Sequence, residues 1–339
     1  MIKKRRSKMD DVIVVEGLTK RFGDFVAVDH IDFIVKEREI FGFLGPNGAG
    51  KSTTIKMLIT LLHPTSGSAK ICGYDVVKEP HKVRKNIGVV FQDRSSDRVL
   101  TGRQNLDLHA RMYSLSREER EKKIKEVLKL LELEGLDNIR LNSLPEGVRR
   151  RFEVARGFMT NPKVVFLDEP TIGFDIKARR DLWDQIKNAK EKEGSAVLLT
   201  THYIEEADYL CDRVAIIDHA KIIAIDTPDN LKKSVGTTLI SFQVKDNNGN
   251  GLSYFIDKVK KLEWVISVLE EDNPIILNVE RGDGRIPDLI EFADKIGFEI
   301  LSIDEREPNL EDAFLHYTGR TIREAEGGEV SKISRRARR

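Results

Sequence analysis

The sequence predicts an α/β domain with a mostly parallel sheet and a helical insertion, followed by a smaller α+β domain. Three observations carry this reading. From Val12 to about Asp226, short apolar runs alternate with longer helix-periodic segments; a charged, helix-rich stretch interrupts them over about 93–160; and beyond Leu231 the order becomes strand, helix, strand, strand, helix, strand.

Ile40 to Leu44 reads as the first diagnostic strand. It runs directly into Gly45-Pro46-Asn47-Gly48-Ala49-Gly50-Lys51-Ser52, after which Ile55, Leu58, Ile59 and Leu62 recur at helical spacing. In the insertion, Ser116 and Glu119 form a capping box ahead of Ile124, Val127, Leu128 and Leu131 on one helical face. The α/β pattern resumes with Val164-Val165-Phe166-Leu167, an unbroken apolar run suited to a strand buried on both faces. Ala196 to Thr201 and Val214 to Ile217 follow as further strands.

The distal elements are Thr238–Val244, Ser253–Leu262, Trp264–Leu269, Ile275–Val279, Pro287–Ile296 and Glu299–Asp304, in ferredoxin-like order. Asn247 to Gly251 and Gly282-Asp283-Gly284 punctuate them as loops. The expected division is therefore a basic extension at 1–11, a main domain at 12–235, an accessory domain at 236–320 and a basic tail at 321–339.

Composition excludes several classes. The 339 residues are 40% hydrophobic and 33% charged, with 57 basic against 56 acidic side chains, so neither general disorder nor an overall polyanion-seeking field is implied. Charge gathers only at the ends, in Lys3, Lys4, Arg5, Arg6 and Lys8 and in Lys332, Arg335, Arg336, Arg338 and Arg339. These read as solvated termini, with anionic lipid or nucleic acid as the alternative contact. Cys72 and Cys211 are the two cysteines, far apart and outside paired-ligand spacing, which fits a reducing compartment without a zinc site. No apolar run reaches the roughly 18 residues of a membrane span, and no signal-peptide pattern opens the chain.

Chemistry concentrates in the motifs. Gly45 to Ser52 matches G-x-x-x-x-G-K-[ST], whose glycines turn backbone N–H groups onto phosphate oxygens while the following helix presents its positive end to the same anion. This marks a P-loop nucleotide hydrolase. Lys51 is placed for the β and γ phosphates and Ser52 for Mg²⁺. Asp168-Glu169 ends an apolar strand, where a buried sheet first releases side chains toward a ligand. Asp168 is a candidate Mg²⁺ carboxylate and Glu169 a candidate general base; a helix-capping or surface acidic pair is the plainer alternative.

At this point the chain resembles the ATP-binding subunits of ABC transporters. Asp168-Glu169-Pro170-Thr171 continues into Gly173-Phe174-Asp175, similar to the family's D-loop, and Thr200-Thr201-His202 is similar to its switch histidine. Phe91-Gln92 matches the Q-loop, and Phe22 falls where the family stacks an aromatic ring on adenine. The segment Thr101 to Leu106, the tail Pro308 to Phe314 and Thr318-Gly319-Arg320 resemble the drug-exporter-like group. The resemblance implies ATP held by Phe22 and by Gly45, Pro46, Asn47, Gly48, Ala49, Gly50, Lys51, Ser52 and Thr53. It implies Mg²⁺ at Ser52, Gln92 and Asp168, and catalysis by Glu169, Gln92 and His202. Read without it, Phe22 is equally a core aromatic and His202 a core or surface histidine.

The implied function is ATP hydrolysis coupled to transport, in the direction of export, through a separate membrane permease. The chain would sit peripherally on the cytoplasmic face, paired head to tail with a second ATP-binding subunit, identical or different, and no specific nucleic acid is expected. The alternative is a soluble ATPase of this type in DNA repair or translation, or a low-turnover regulatory nucleotide-binding protein. One segment departs from the family. Where a Leu-Ser-Gly-Gly-Gln signature is expected, this chain has Leu144-Pro145-Glu146-Gly147-Val148, so a hydroxyl and a glycine give way to proline and a carboxylate.

Overall fold

The computed structural model describes residues 11–322 and 324, apart from 94, 237, 250, 271–273 and 280–283. Both basic ends, and Gly282 and Asp283 of the expected loop, lie outside the described residues. Two compact units divide at Ile225/Asp226.

The first unit is built on a six-stranded sheet in the order Lys221–Asp226, Arg213–Asp218, Ile40–Leu44, Ala196–Thr201, Val164–Asp168, Ile87–Val90. From Arg213–Asp218 to Ile87–Val90, neighbouring strands are parallel. Ile40–Leu44, Val164–Asp168 and Ala196–Thr201 are buried at every residue, as strands covered on both faces must be. The edge strand returns through His219-Ala220, both at positive φ, which fits the two-residue hairpin turn whose twist matches the strands it joins.

A second sheet is antiparallel, in the order Phe25–Lys36, Asp11–Phe22, Ser66–Ile71, Tyr74–Asp75. It adds an antiparallel sheet, not read from the sequence, to the mostly parallel sheet expected between Val12 and Asp226. The signal lies in Ile31, Phe33 and Val35, buried in alternation with exposed Asp32, Ile34 and Lys36. That period of two marks a sheet with one face in water. The inward face packs onto the parallel sheet, and Phe33 lies 5.5 Å from Phe41 and 5.1 Å from Phe43 between ring centroids.

The insertion holds three α-helices, Gly102–Met112, Arg117–Leu130 and Glu146–Phe158. Capping boxes start the first two, Thr101 with Gln104 and Ser116 with Glu119, each satisfying amides that a helix start leaves unpaired. The third has no side-chain cap at Pro145.

In the second unit the sheet order is Val265–Glu270, Ile275–Val279, Thr238–Asp246, Phe298–Arg306, all pairs antiparallel, with helices Leu252–Val259 and Arg285–Lys295. This is the split β-α-β arrangement. Its core includes Phe242, Phe255, Leu277, Leu289 and Phe298. Helix Pro228–Val235 belongs with this unit: it buries Leu231 and Val235, its last carbonyl accepts from Asn278, and Ser234 accepts a hydrogen bond of 2.8 Å from Tyr317 on helix Leu310–Thr318. The division thus falls ahead of the 235/236 boundary read from composition.

Candidate nucleotide site

The phosphate loop joins the central strand Ile40–Leu44 to helix Lys51–Leu58, so the sheet fixes where the loop begins and the helix where it ends. Gly48 and Gly50 stand at φ 80° and 105°, conformations that L side chains rarely adopt. A Cβ on Gly50 would meet the Ala27 carbonyl oxygen at 2.5 Å, and one on Gly45 would collide with the Ile217 carbonyl. The first intrahelical bond runs from the Thr54 N–H to the Gly50 carbonyl, 2.9 Å, and the amides ahead of it have no acceptor within the helix. Their direction and the helix dipole both favour an anion there.

Lys51 is 4% exposed, and its ammonium donates to the carbonyls of Gly45 at 2.6 Å and Pro46 at 3.0 Å, 3.8 Å from Glu169 Oε1. The Ser52 hydroxyl donates to Asp168 Oδ1 at 2.9 Å, which also accepts from the Thr200 hydroxyl at 2.6 Å. Thr200 Oγ in turn accepts from the Glu169 N–H at 3.0 Å. Three adjacent parallel strands therefore deliver one cluster at their carboxyl ends, the position at which α/β sheets hold ligands.

Glu169 is 5% exposed and stands at φ 46°, a strained conformation for a residue with a side chain. Burial pushes its carboxyl up, but His202 and the Lys51 ammonium outweigh burial and hold it below the ordinary carboxylate range. His202 Nδ1 lies 3.5 Å from Glu169 Oε1, an ion-pair separation, and makes no hydrogen bond. Gln92 Nε2 donates to Glu169 Oε2 at 3.4 Å. Of the residues named from sequence, Lys51, Ser52, Gln92, Asp168, Glu169 and His202 thus share one cluster. Phe22 is 51% exposed at the end of a strand, with the Lys20 ammonium 5.0 Å from its ring centroid, so it is not a core aromatic. Pro46, Asn47, Ala49 and Thr53 lie in the loop and the first turn of its helix.

Three participants are not among the site residues named from sequence, although Thr200 lies in the stretch that resembles the switch histidine. Thr200 bridges Asp168 and the Glu169 backbone. Glu206 is fully buried; one of its oxygens accepts from the Thr171 hydroxyl and from Trp183 Nε1, each at 2.8 Å, and burial pushes its carboxyl up. Arg150 reaches the backbone around Asp168 and Glu169 from the insertion's third helix. Its only sequence signal is a place in a run of arginines.

Glu146 opens that third helix, 50% exposed on its side chain and 3.8 Å from Arg149 Nη2. Arg149 Nη1 also donates to the Leu144 carbonyl at 2.8 Å. The carboxylate introduced into the signature position is therefore drawn to a cation one turn along its own helix.

A glycine phosphate loop on a parallel sheet, with a lysine, a hydroxyl and two carboxylates converging on it, defines a phosphate-loop nucleotide hydrolase. The ABC transporter family matches residues 28–172. The doxorubicin resistance ATP-binding protein of Mycobacterium tuberculosis is 39% identical over 324 residues, covering 91% of this chain and 94% of that one. Among solved structures, cbiO1 from Clostridium perfringens, part of an ABC transporter complex, is 27% identical with a TM-score of 0.62 over 67% of this chain and 93% of its own. A dimeric ATP-binding cassette in a post-hydrolysis state, bound to ADP and Pi, is 29% identical with a TM-score of 0.57 over 63% of this chain and 98% of its own. The chain belongs to the ATP-binding subunits of ABC transporters, in the drug-resistance exporter-type group, and its activity is ATP hydrolysis. Its kinship does not favour a role in DNA repair or translation. No helix among the described residues is long and apolar enough to cross a membrane, and an ATP-binding subunit of a transporter associates with one.

Proposed function

We propose that the chain hydrolyses Mg-ATP in a head-to-tail pair of ATP-binding subunits and couples that step to export through a separate permease, on the cytoplasmic face of the membrane. The convergence of Lys51, Ser52, Asp168 and Glu169 at the carboxyl ends of three adjacent strands carries the reading. The loop amides and Lys51 would take the phosphates, and Phe22, exposed at its strand end, the adenine face.

Ser52 and Asp168 suit Mg²⁺, which binds phosphate sites through one or two protein oxygens and substrate phosphates. The described residues hold no three-ligand His, Cys, Asp or Glu cluster that would cage a metal by itself. When bound, Mg²⁺ neutralises phosphate charge. Glu169, kept ionised by Lys51 and His202, accepts a proton from the attacking water. Gln92 orients that water, and His202 steadies the γ-phosphate as charge develops.

The similarity to a cassette solved as a dimer with ADP and Pi supports the paired arrangement. Each site would then receive Leu144 to Val148 from the opposite subunit, so the altered signature bears directly on turnover. Phosphate release by the full chain, with and without Mg²⁺ and with permease-containing membranes, tests the reading. Mg²⁺-dependent release stimulated by those membranes is expected; release indifferent to them would sink the coupling.

A further inference from the structure

Arg150 is 7% exposed, and two of its three guanidinium nitrogens are committed to the segment that carries Asp168 and Glu169. Nε donates to the Pro170 carbonyl at 3.0 Å, and Nη2 to the carbonyls of Asp168 and Glu169, both at 3.2 Å. Nη1 donates to the Phe91 carbonyl at 2.6 Å and to Glu153 Oε2 at 2.7 Å. Three successive carbonyls, 168 to 170, therefore face one cation. An extended strand cannot present them so, because its carbonyls alternate in direction. The chain curls instead, and the residue at the curl is Glu169, at φ 46°. A side-chain-bearing residue stays in that region only when its surroundings over-determine it. The planar fork of an arginine supplies that constraint; a lysine, with one point charge, cannot span the same acceptors.

Resting on the reading of Glu169 as general base, we infer that Arg150 is a positioning residue for ATP hydrolysis: it fixes the carboxylate of Glu169 and, through Phe91, the approach of Gln92. Arg150 lies one turn beyond Glu146 on helix Glu146–Phe158. A shift of the signature segment on meeting the opposite subunit therefore moves the fork that holds the base. The same helix grips the far side of the Gln92 segment, where Arg156 donates to the Ser95 carbonyl at 2.8 Å. Closure and alignment of the base are thus joined through one rigid element.

The experiment is a double-mutant cycle on the full chain, combining Arg150→Met with Glu169→Gln and reading single-turnover hydrolysis of labelled ATP, binding of a fluorescent ATP analogue, and thermal melting. Arg150→Met should lower hydrolysis by about 10- to 100-fold, the scale of a sub-ångström to ångström misplacement of a reacting group. Nucleotide binding should stay within about threefold. In the Glu169→Gln background the same change should cost under about twofold, since there is no base left to position. Equal fold losses in both backgrounds, or binding that falls in step with hydrolysis, would overturn the proposal. If Glu169→Gln alone hydrolyses at the unmodified rate, the assignment of the base fails instead, which is a separate result. Arg150→Lys keeps the charge and loses the fork; it is expected to remain as slow as Arg150→Met, and carries the cycle if the methionine variant does not melt cooperatively. Full activity in the lysine variant would reduce Arg150 to a buried charge.

Discussion

The nucleotide side of the first unit matches the phosphate-loop pattern, whereas its signature side, on the same domain, departs from the family's motif. On the nucleotide side Ser52 and Thr200 both donate to Asp168, and Lys51 lies 3.8 Å from Glu169. On the signature side the third insertion helix starts without a side-chain cap, at a proline, and its first residue is a half-exposed glutamate turned toward Arg149. The contrast teaches that binding nucleotide and, in the head-to-tail pair proposed above, completing a neighbour's site are separable requirements on one sequence. The first demands convergence from three strands; the second is met by a few residues at the start of one helix.

The largest effect should come from the nucleotide side. Glu169→Gln is expected to lower ATP turnover by about two orders of magnitude or more while nucleotide binding is kept, because a positioned base is removed and the carboxamide fills its space. Lys51→Ala should weaken binding itself, by removing the buried cation of the loop. Equilibrium binding and phosphate release on both variants check the pair. Unmodified turnover in Glu169→Gln would mean that another group takes the proton from water.

Next comes the signature. Two like charges about 4 Å apart cost roughly 1 kcal/mol in water and about 4 at an effective dielectric of 20. Glu146 is half exposed and lies 3.8 Å from Arg149, which places it toward the watery limit and partly cancels its charge. Its paired, exposed state shrinks the penalty that sequence alone suggests. Pro145→Ser with Glu146→Gly should therefore raise turnover, and ATP-dependent dimerisation in the Glu169→Gln background, by up to about tenfold, since about 1.4 kcal/mol is one decade. No gain, with brisk turnover by the unmodified chain, would make this motif a working variant.

How far these two sides are legible in the sequence follows from the range of their interactions. Gly45 to Ser52 and Asp168-Glu169 announce themselves because each motif marks a strand end, and parallel topology then brings Ser52 to Asp168 across 116 positions. Arg150 and Glu206 carry no comparable mark, and Thr200 is marked only as part of Thr200-Thr201-His202. Arg150 acts on main-chain carbonyls that any sequence would present, so residue identity at 168–170 does not point back to it. Wholly apolar runs dominate the pattern and mask the antiparallel sheet, although Ile31, Phe33 and Val35 alternate with exposed neighbours. Helix Pro228–Val235 falls on the wrong side of a division drawn from composition, which shifts after it, while its buried contacts lie with Asn278 and Tyr317.

A smaller effect separates two buried glutamates on the nucleotide side. Glu169 is held below the ordinary carboxylate range, whereas burial raises Glu206 above it. A raised folded-state value means that the folded chain binds the proton more tightly. The stability this confers is complete below the unfolded value, about 4.3, and is lost as pH rises through the folded value. Glu206→Gln mimics the protonated acid, with its oxygen still able to accept from Thr171 and Trp183. Melting as a function of pH should show the unmodified chain losing stability relative to Glu206→Gln above about 4.3, with hydrolysis little changed. A parallel pair of pH profiles would mean that Glu206 does not titrate in that range.

The smallest expected effect isolates the helix start. A serine at the position of Pro145 can accept from an amide of the first turn, typically worth about 1 kcal/mol relative to alanine. Removing proline frees the unfolded chain and costs about 0.4–1 kcal/mol, since Pro145 sits at φ −55°, where its ring is unstrained. The two nearly cancel, so Pro145→Ser alone should change stability by less than about 0.5 kcal/mol, or under about 2 °C in Tm for a domain of this size. Calorimetry of the full chain measures it. Agreement would mean that a gain in the double reversion does not come from a change in stability at position 145. A drop of several degrees would instead mean that proline is retained here for the stability of helix Glu146–Phe158, and the signature side would then differ from the nucleotide side in what it stabilises as well as in what it offers a partner.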